Sequence, residues 1–151
     1  MSSTPPSIGS SQAIVDAEGR RYAFADHHCF ACGASNPIGM RLHIELSDGA
    51  ARSEWVVGDD YVGWSDKLHG GIIATLLDEV MAWAPSSFDS WAVTAEMSVR
   101  YRASASPGER LTASARVARR RRRIYEVVGE VRVTLAARAI YLAAAEDCAD
   151  R

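Results

Sequence analysis

Lysine is nearly missing from this chain. Of its 17 basic residues only Lys67 is a lysine, so arginine carries the positive charge. Long apolar runs are missing too: none approaches the ~18 residues of a membrane span, and no membrane association is expected. The opening MSSTPPSIGSSQ lacks a basic start followed by an apolar stretch, so it does not read as a secretory leader. The three cysteines, Cys29, Cys32 and Cys148, are odd in number and form no disulfide framework, which makes the cytoplasm the expected compartment. A net charge of −2 provides no bulk attraction to nucleic acid. The one basic run, Arg119 to Arg123, has no aromatics interleaved with it, so no nucleic-acid partner is expected.

What is present is the composition of a folded domain. The chain has 151 residues, 48% of them hydrophobic and 24% charged, enough to bury roughly two-thirds of its unfolded surface without staples. Residues 1–28 begin with a Ser/Pro-rich stretch and give no clear pattern; they read as a flexible N-terminal segment. Residues 29–145 read as one domain and 146–151 as a polar tail.

Within the domain, hydrophobic period marks the elements. Arg41 to Leu46 alternates polar and apolar, Ser47-Asp48-Gly49 is a turn, and Ala51 to Val57 alternates again, which predicts a hairpin. Gly70 to Ala84 carries Ile72, Ile73, Leu76, Leu77, Val80, Met81 and Trp83 on one broad side of a helix, and Pro85 ends it. Period 2 returns over Trp91–Arg102, Leu111–Ala118, Ile124–Val133 and Ala139–Ala145. Short turns between strands imply an antiparallel sheet, and a single helix must bury its apolar side against it. The expected fold class is α+β.

The sharpest segment is His69-Gly70-Gly71-Ile72-Ile73-Ala74-Thr75-Leu76-Leu77-Asp78-Glu79. The first amides of a helix have no partner inside it and stand at the positive end of its dipole. They suit an anion, or an oxygen that becomes anionic during a reaction. With Ile72 at 0°, the bulky residues span about 0–180° and Asp78 falls near ~240°, among Ala74, Ala82 and Thr75. Glu79 falls near ~340°, at the boundary. A carboxylate set among small residues, opposite the core side, suits a small cavity or a subunit seam.

This HGGIIATLLDE segment after a hairpin, followed by AVTAEMSVRYRASASPGERL and preceded by CFACGASNPIGMRL, resembles the hotdog-fold acyl-CoA thioesterases. Within them it is most similar to the branch of the phenylacetate-pathway and 4-hydroxybenzoyl-CoA thioesterases. The resemblance covers residues 29–145. It implies a curved antiparallel sheet of five to six strands around one long central helix, assembled as a homodimer or homotetramer with sites at the dimer seam. It also implies an acyl-thioester hydrolase acting on an acyl-CoA or acyl-carrier-protein. No separate cofactor is expected, since coenzyme A or phosphopantetheine arrives with the substrate.

Carried over residue by residue, the resemblance makes Asp78 the base or nucleophile. It places the Gly70 amide, with Gly71 beside it, at the thioester carbonyl, gives His69 a supporting role in the loop, and makes Thr94 the hydroxyl that positions water. One departure stands out. Some relatives carry Asn or Gln six residues before the motif histidine, and here that position is Gly63. Either the backbone amides alone receive the oxyanion or Trp64 or Ser65 takes a share, and Glu79 is a further acidic candidate. Two other chemistries fit the same scaffold: non-hydrolytic acyl-thioester reactions such as hydration, dehydration or conjugate addition, and acyl-CoA binding without turnover.

Trp64 and Trp83 are candidates for an acyl pocket. Arg121, Arg122 and Arg123 are candidates for carrier phosphates or an acidic carrier protein, because arginine pairs bidentately with phosphate. His27-His28-Cys29-Phe30-Ala31-Cys32 has the CxxC spacing of a zinc knuckle but no second pair of cysteines at matching spacing. The expectation is therefore no metal, with both cysteines packed beneath Phe30.

Overall fold

The structure is a computed structural model that describes residues 28–88 and 92–134, together with the strand stretches 13–15, 21–23 and 139–140. The limit of the domain at 145 and the tail 146–151 lie outside the described residues. In chain order the elements are β1 (Ala13–Val15), β2 (Arg21–Ala23), β3 (Glu45–Ser47), β4 (Ala50–Val56), α1 (Gly70–Trp83), β5 (Arg110–Arg121), β6 (Ile124–Val133) and β7 (Ala139–Ile140). Strands β1 and β2 pair only with each other.

The main sheet is antiparallel throughout, in the order β3-β4-β5-β6-β7. Four of its strands have three residues or more, and the two-residue β7 extends the edge beside Val131 and Arg132. Helix α1 lies against this sheet. Ile73, Leu76, Leu77, Val80, Met81 and Trp83 are buried on it, facing Ala51, Leu111, Ala113, Ala115, Val127 and Val131 in one core. The helix comes very close at Gly129 of β6, where a β-carbon would stand 2.8 Å from Leu77 Cδ1 and 3.0 Å from Met81 Cγ. Only a residue without a side chain permits that approach.

Local chemistry explains the boundaries. The helix stops at Trp83 and runs into a 3₁₀ turn at Ala84–Phe88 that contains Pro85, the stop signal of the sequence. The turn between β3 and β4 uses Gly49 at φ 66°. Residues 41–46 keep the predicted alternation, with Leu42 and Ile44 buried between exposed neighbours, although paired strand begins only at Glu45. The β5–β6 hairpin has a register shift between Val117 and Arg119, and Arg122 takes φ 56° at its turn.

One predicted strand is corrected. Trp91 lies outside the described residues, and residues 92–102 bend at Ala95 and belong to no strand. Residues 93–101 form no backbone hydrogen bond to other described residues. The physical reason is position: this segment crosses the side of α1 that the sheet does not cover. Of its predicted inward residues, Met97 and Val99 pack on the core, whereas Val93 is 80% exposed. The five to six full strands expected are therefore four, with the short β7 pairing added.

Candidate functional site

The N-terminus of α1 is built by His69. Its backbone is extended, and its Nδ1 accepts the Gly71 N–H at 2.9 Å. Its carbonyl accepts the N–H groups of Ile72 and Ile73 at 2.9 and 3.3 Å. Glycine suits position 71 in this cap, since a β-carbon there would stand a tight 3.0 Å from Nδ1. Three of the first four amides of the helix are thus satisfied by His69. The fourth, on Gly70, has no acceptor among the described residues. The expectation that both glycine amides face a substrate carbonyl is corrected for Gly71, whose N–H is taken, and narrows to Gly70. Gly70 itself is not crowded: a β-carbon would stand 3.5 Å from the Tyr101 ring, an ordinary contact.

Two turns further along the helix, Asp78 is half-buried on the side away from the sheet. The Thr94 hydroxyl donates to Asp78 Oδ1 at 2.5 Å. Further along the same segment, the Tyr101 hydroxyl donates to the Gly70 carbonyl at 2.8 Å. Residues 94–101 therefore cross α1 from Asp78 to its first residue. Thr75 Oγ1–H turns back to the Gly71 carbonyl at 2.8 Å and leaves the strip beside Asp78 small. The structure joins Asp78 to Thr94, and joins His69 to Gly71, as separate pairs at two places on the helix.

The other candidates are not brought to Asp78. Glu79 faces a different way: its Oε1 accepts the Trp83 Nε1–H at 2.7 Å, and the Cys29 thiol approaches its two oxygens at 3.9 and 3.8 Å. Trp83 is 6% exposed and committed to that bond, so it is a core residue and not the wall of an open acyl pocket. Burial, with the Glu79 carboxylate and Cys29 beside it, pushes the Cys32 thiol well above its ordinary range. Phe30 is 38% exposed and does not seal the cysteines as expected.

Trp64 and Ser65 sit in a reversal between Val62 and Leu68, where Ser65 and Asp66 take φ 47° and 56°. Trp64 is 88% exposed there. A β-carbon at Gly63 would stand 3.2 Å from the His69 Cα, so this backbone leaves little room for the amide side chain of some relatives. Arg121, Arg122 and Arg123 are exposed at the β5–β6 turn and make no ion pair with described residues. Arg119 pairs with Glu126 at 3.6 Å, and Arg120 lies over the Tyr125 ring. Leu68 bonds to Ala105 just before β5, and Val117 near its far end bonds to Gly49. The arginine turn thus stands at the end of the sheet away from Gly70.

Comparison with known proteins shows what this geometry is similar to. The sequence model of the thioesterase superfamily matches residues 66–134. A curated protein of Archaeoglobus fulgidus named as an esterase is 36% identical over 73 residues, 48% of this chain and 47% of its own. The chain thus spans about half the length of the curated relative it matches. Among solved structures, a thioesterase superfamily protein superposes with a TM-score of 0.72 at 23% identity, over 93% of this chain and 68% of its own. The PaaI protein of the Escherichia coli phenylacetic acid degradation operon gives 0.64 at 21% identity, over 68% and 75%. A Streptococcus mutans protein bound to acetyl-CoA gives 0.64 at 24%, over 68% and 83%. These structures share the fold, an antiparallel sheet with one long helix. The matched segment runs from the loop before His69 through α1 and β5 to the end of β6, so a little under half of the chain is similar to the thioesterase superfamily, and the chain has the hotdog fold.

Proposed function

We propose that this chain hydrolyses an acyl-CoA thioester at a seam between two copies of itself, with Asp78 from one copy and the Gly70 amide from the other. The observation that carries the reading is the Thr94–Asp78 hydrogen bond, formed on the side of α1 that the sheet leaves open. It fixes one carboxylate oxygen and leaves the second to act.

The spacing along the helix supports a second copy. Asp78 and Gly70 are eight residues apart, about 12 Å along a helix. A single carbonyl carbon must lie ~3 Å from its nucleophile while its oxygen lies ~3 Å from the oxyanion donor. The two groups of one chain are too far apart for that. Two helices related by a two-fold axis bring the middle of each beside the start of the other. Residues 93–101, whose backbone bonds to no other described residue, offer the segment along which two copies can pair.

In the reaction, the free oxygen of Asp78 takes a proton from water as the water oxygen bonds to the carbonyl carbon, or that oxygen attacks the carbon itself and water later opens the anhydride. Charge on the carbonyl oxygen is received by the Gly70 N–H at the positive end of α1. The C–S bond breaks, the thiolate takes a proton, and the acid leaves. Water and thioester balance acid and thiol, so the chemistry requires no further cofactor. The acetyl-CoA-bound neighbour supports coenzyme A as the carrier. A cytoplasmic setting fits such a substrate, and no helix among the described residues is long and apolar enough to cross a membrane.

The test is complementation. Asp78→Asn and Gly70→Pro each remove one half of the chemistry, and proline is tolerated at a first helical position after an extended residue such as His69. Each variant alone is expected to be nearly inactive in a thiol-release screen of acyl-CoA and acyl-carrier substrates. Random mixed dimers hold one intact cleft in every second dimer, so about a quarter of wild-type turnover returns. No recovery in proven mixed dimers would sink the two-copy site.

A further inference from the structure

The cysteine turn and Glu79 form a cluster that thioester hydrolysis does not use. The donor atoms of Cys29, Cys32 and Glu79 all lie within 4.8 Å of one another, and all three residues are half-buried. Cys29 and Cys32 come from a tight turn, Cys29-Phe30-Ala31-Cys32-Gly33. It is closed by Gly33 N–H to the Cys29 carbonyl at 2.9 Å, and the Cys32 N–H points at Cys29 Sγ at 3.5 Å. Glu79 comes from the middle of α1, and the Trp83 Nε1–H bond holds its carboxylate in place. A donor that orients a ligating carboxylate from behind is a regular part of metal sites.

The donor set selects the ion. Two sulfurs and one carboxylate oxygen suit a zinc-class divalent cation; magnesium and calcium require oxygen ligands. A tetrahedral ion with bonds of about 2.3 Å to sulfur and about 2.1 Å to oxygen separates those atoms by about 3.6 Å. Cys29 Sγ already lies 3.8 Å from Glu79 Oε2, so that pair needs a contraction of a few tenths of an ångström, and the pairs with Cys32 need about an ångström at most. We propose that Cys29, Cys32 and Glu79 bind one zinc-class divalent cation, with water in the fourth position. The ion would pin the turn that leads to the buried Ala31, Met40 and Leu42 onto the helix.

The ion supplies the positive charge that lets both thiols ionise beside a carboxylate, and two protons leave as it binds. The competing chemistry for a CxxC pair is a disulfide. Here the two cysteines are not bonded to each other.

The experiment uses the full chain, reduced, stripped with chelator and titrated with cobalt(II), then zinc(II). One cobalt per chain is expected, with a near-ultraviolet thiolate-to-cobalt band and intense tetrahedral visible bands, all removed by zinc. Zinc also raises the unfolding midpoint. Cys32→Ser is expected to weaken zinc at least about 100-fold in chelator competition and to abolish the midpoint shift. Glu79→Gln is expected to weaken it at least about 10-fold, and Cys148→Ser to leave the bands in place. The site is overturned if the reduced protein gives no thiolate band, if the band survives Cys29→Ser and Cys32→Ser together, or if Cys148→Ser removes it. None of these readouts depends on turnover, so failure here is distinct from failure of the thioesterase reading.

Discussion

Asp78 and Glu79 are neighbours in sequence, carry the same charge and lie in the same turn of α1, yet they meet opposite surroundings. Asp78 is bonded by Thr94, from an exposed segment with no partner strand, and its second oxygen is available. Glu79 is bonded by Trp83 from within its own helix and faced by a cysteine turn that packs on the core. The 100° step between successive helical residues is enough to separate them. An acidic pair on an amphipathic helix is therefore two sites until the neighbours of each oxygen are known.

The strongest way to break this comparison is to neutralise each acid in turn. Asp78→Asn is expected to lower thiol release by about 10³-fold or more, with circular dichroism and unfolding midpoint unchanged. A stable variant that kept its turnover would remove Asp78 from the chemistry. Gly70→Pro deletes the amide without deleting the helix and is expected to cost about 10²–10³ in kcat, the usual value of one oxyanion donor. Thr94→Val tests how firmly Asp78 must be held; about a tenfold fall in kcat with KM little changed is expected. The effect of Glu79→Gln should fall mainly on stability. Turning the charge-assisted bonds to Trp83 and Cys29 into neutral ones costs about 1 kcal/mol, read from urea unfolding of chelator-treated protein. The smallest effect is on the sheet side: Ser53 is buried with an unpartnered hydroxyl, and Ser53→Ala should leave stability equal or raise it by up to about 1 kcal/mol.

Much of this was legible in the sequence because it is local. The period of 70–84 gave the helix and its buried side, Pro85 gave its end, and helical angles alone set Asp78 apart from the core. The segment 91–102 was read as a strand of the sheet, since alternation looks the same in a paired strand and in an unpaired segment. Period reports which residues face a surface, and says nothing of whether that surface belongs to the same chain. Family resemblance singles out Asp78 and Thr94 separately, and the bond between them belongs to the structure alone. The Glu79–Cys29 contact spans 50 residues and left no trace, because only the finished packing of the turn on the helix creates it. His69 was assigned to the loop by resemblance, but its capture of the Gly71 amide depends on a rotamer that the sequence does not encode locally.

Gly129 sets the gap between helix and sheet, and that gap reaches further than the core. Asp78 and Gly70 ride on one stiff rod, and in the proposed pairing each cleft would borrow from both rods. A single methyl group under Leu77 would act like a shim under one end of a beam, displacing both groups although neither had been substituted. The tolerance of the proposed chemistry is thus machined into a position on the opposite side of the helix from Asp78.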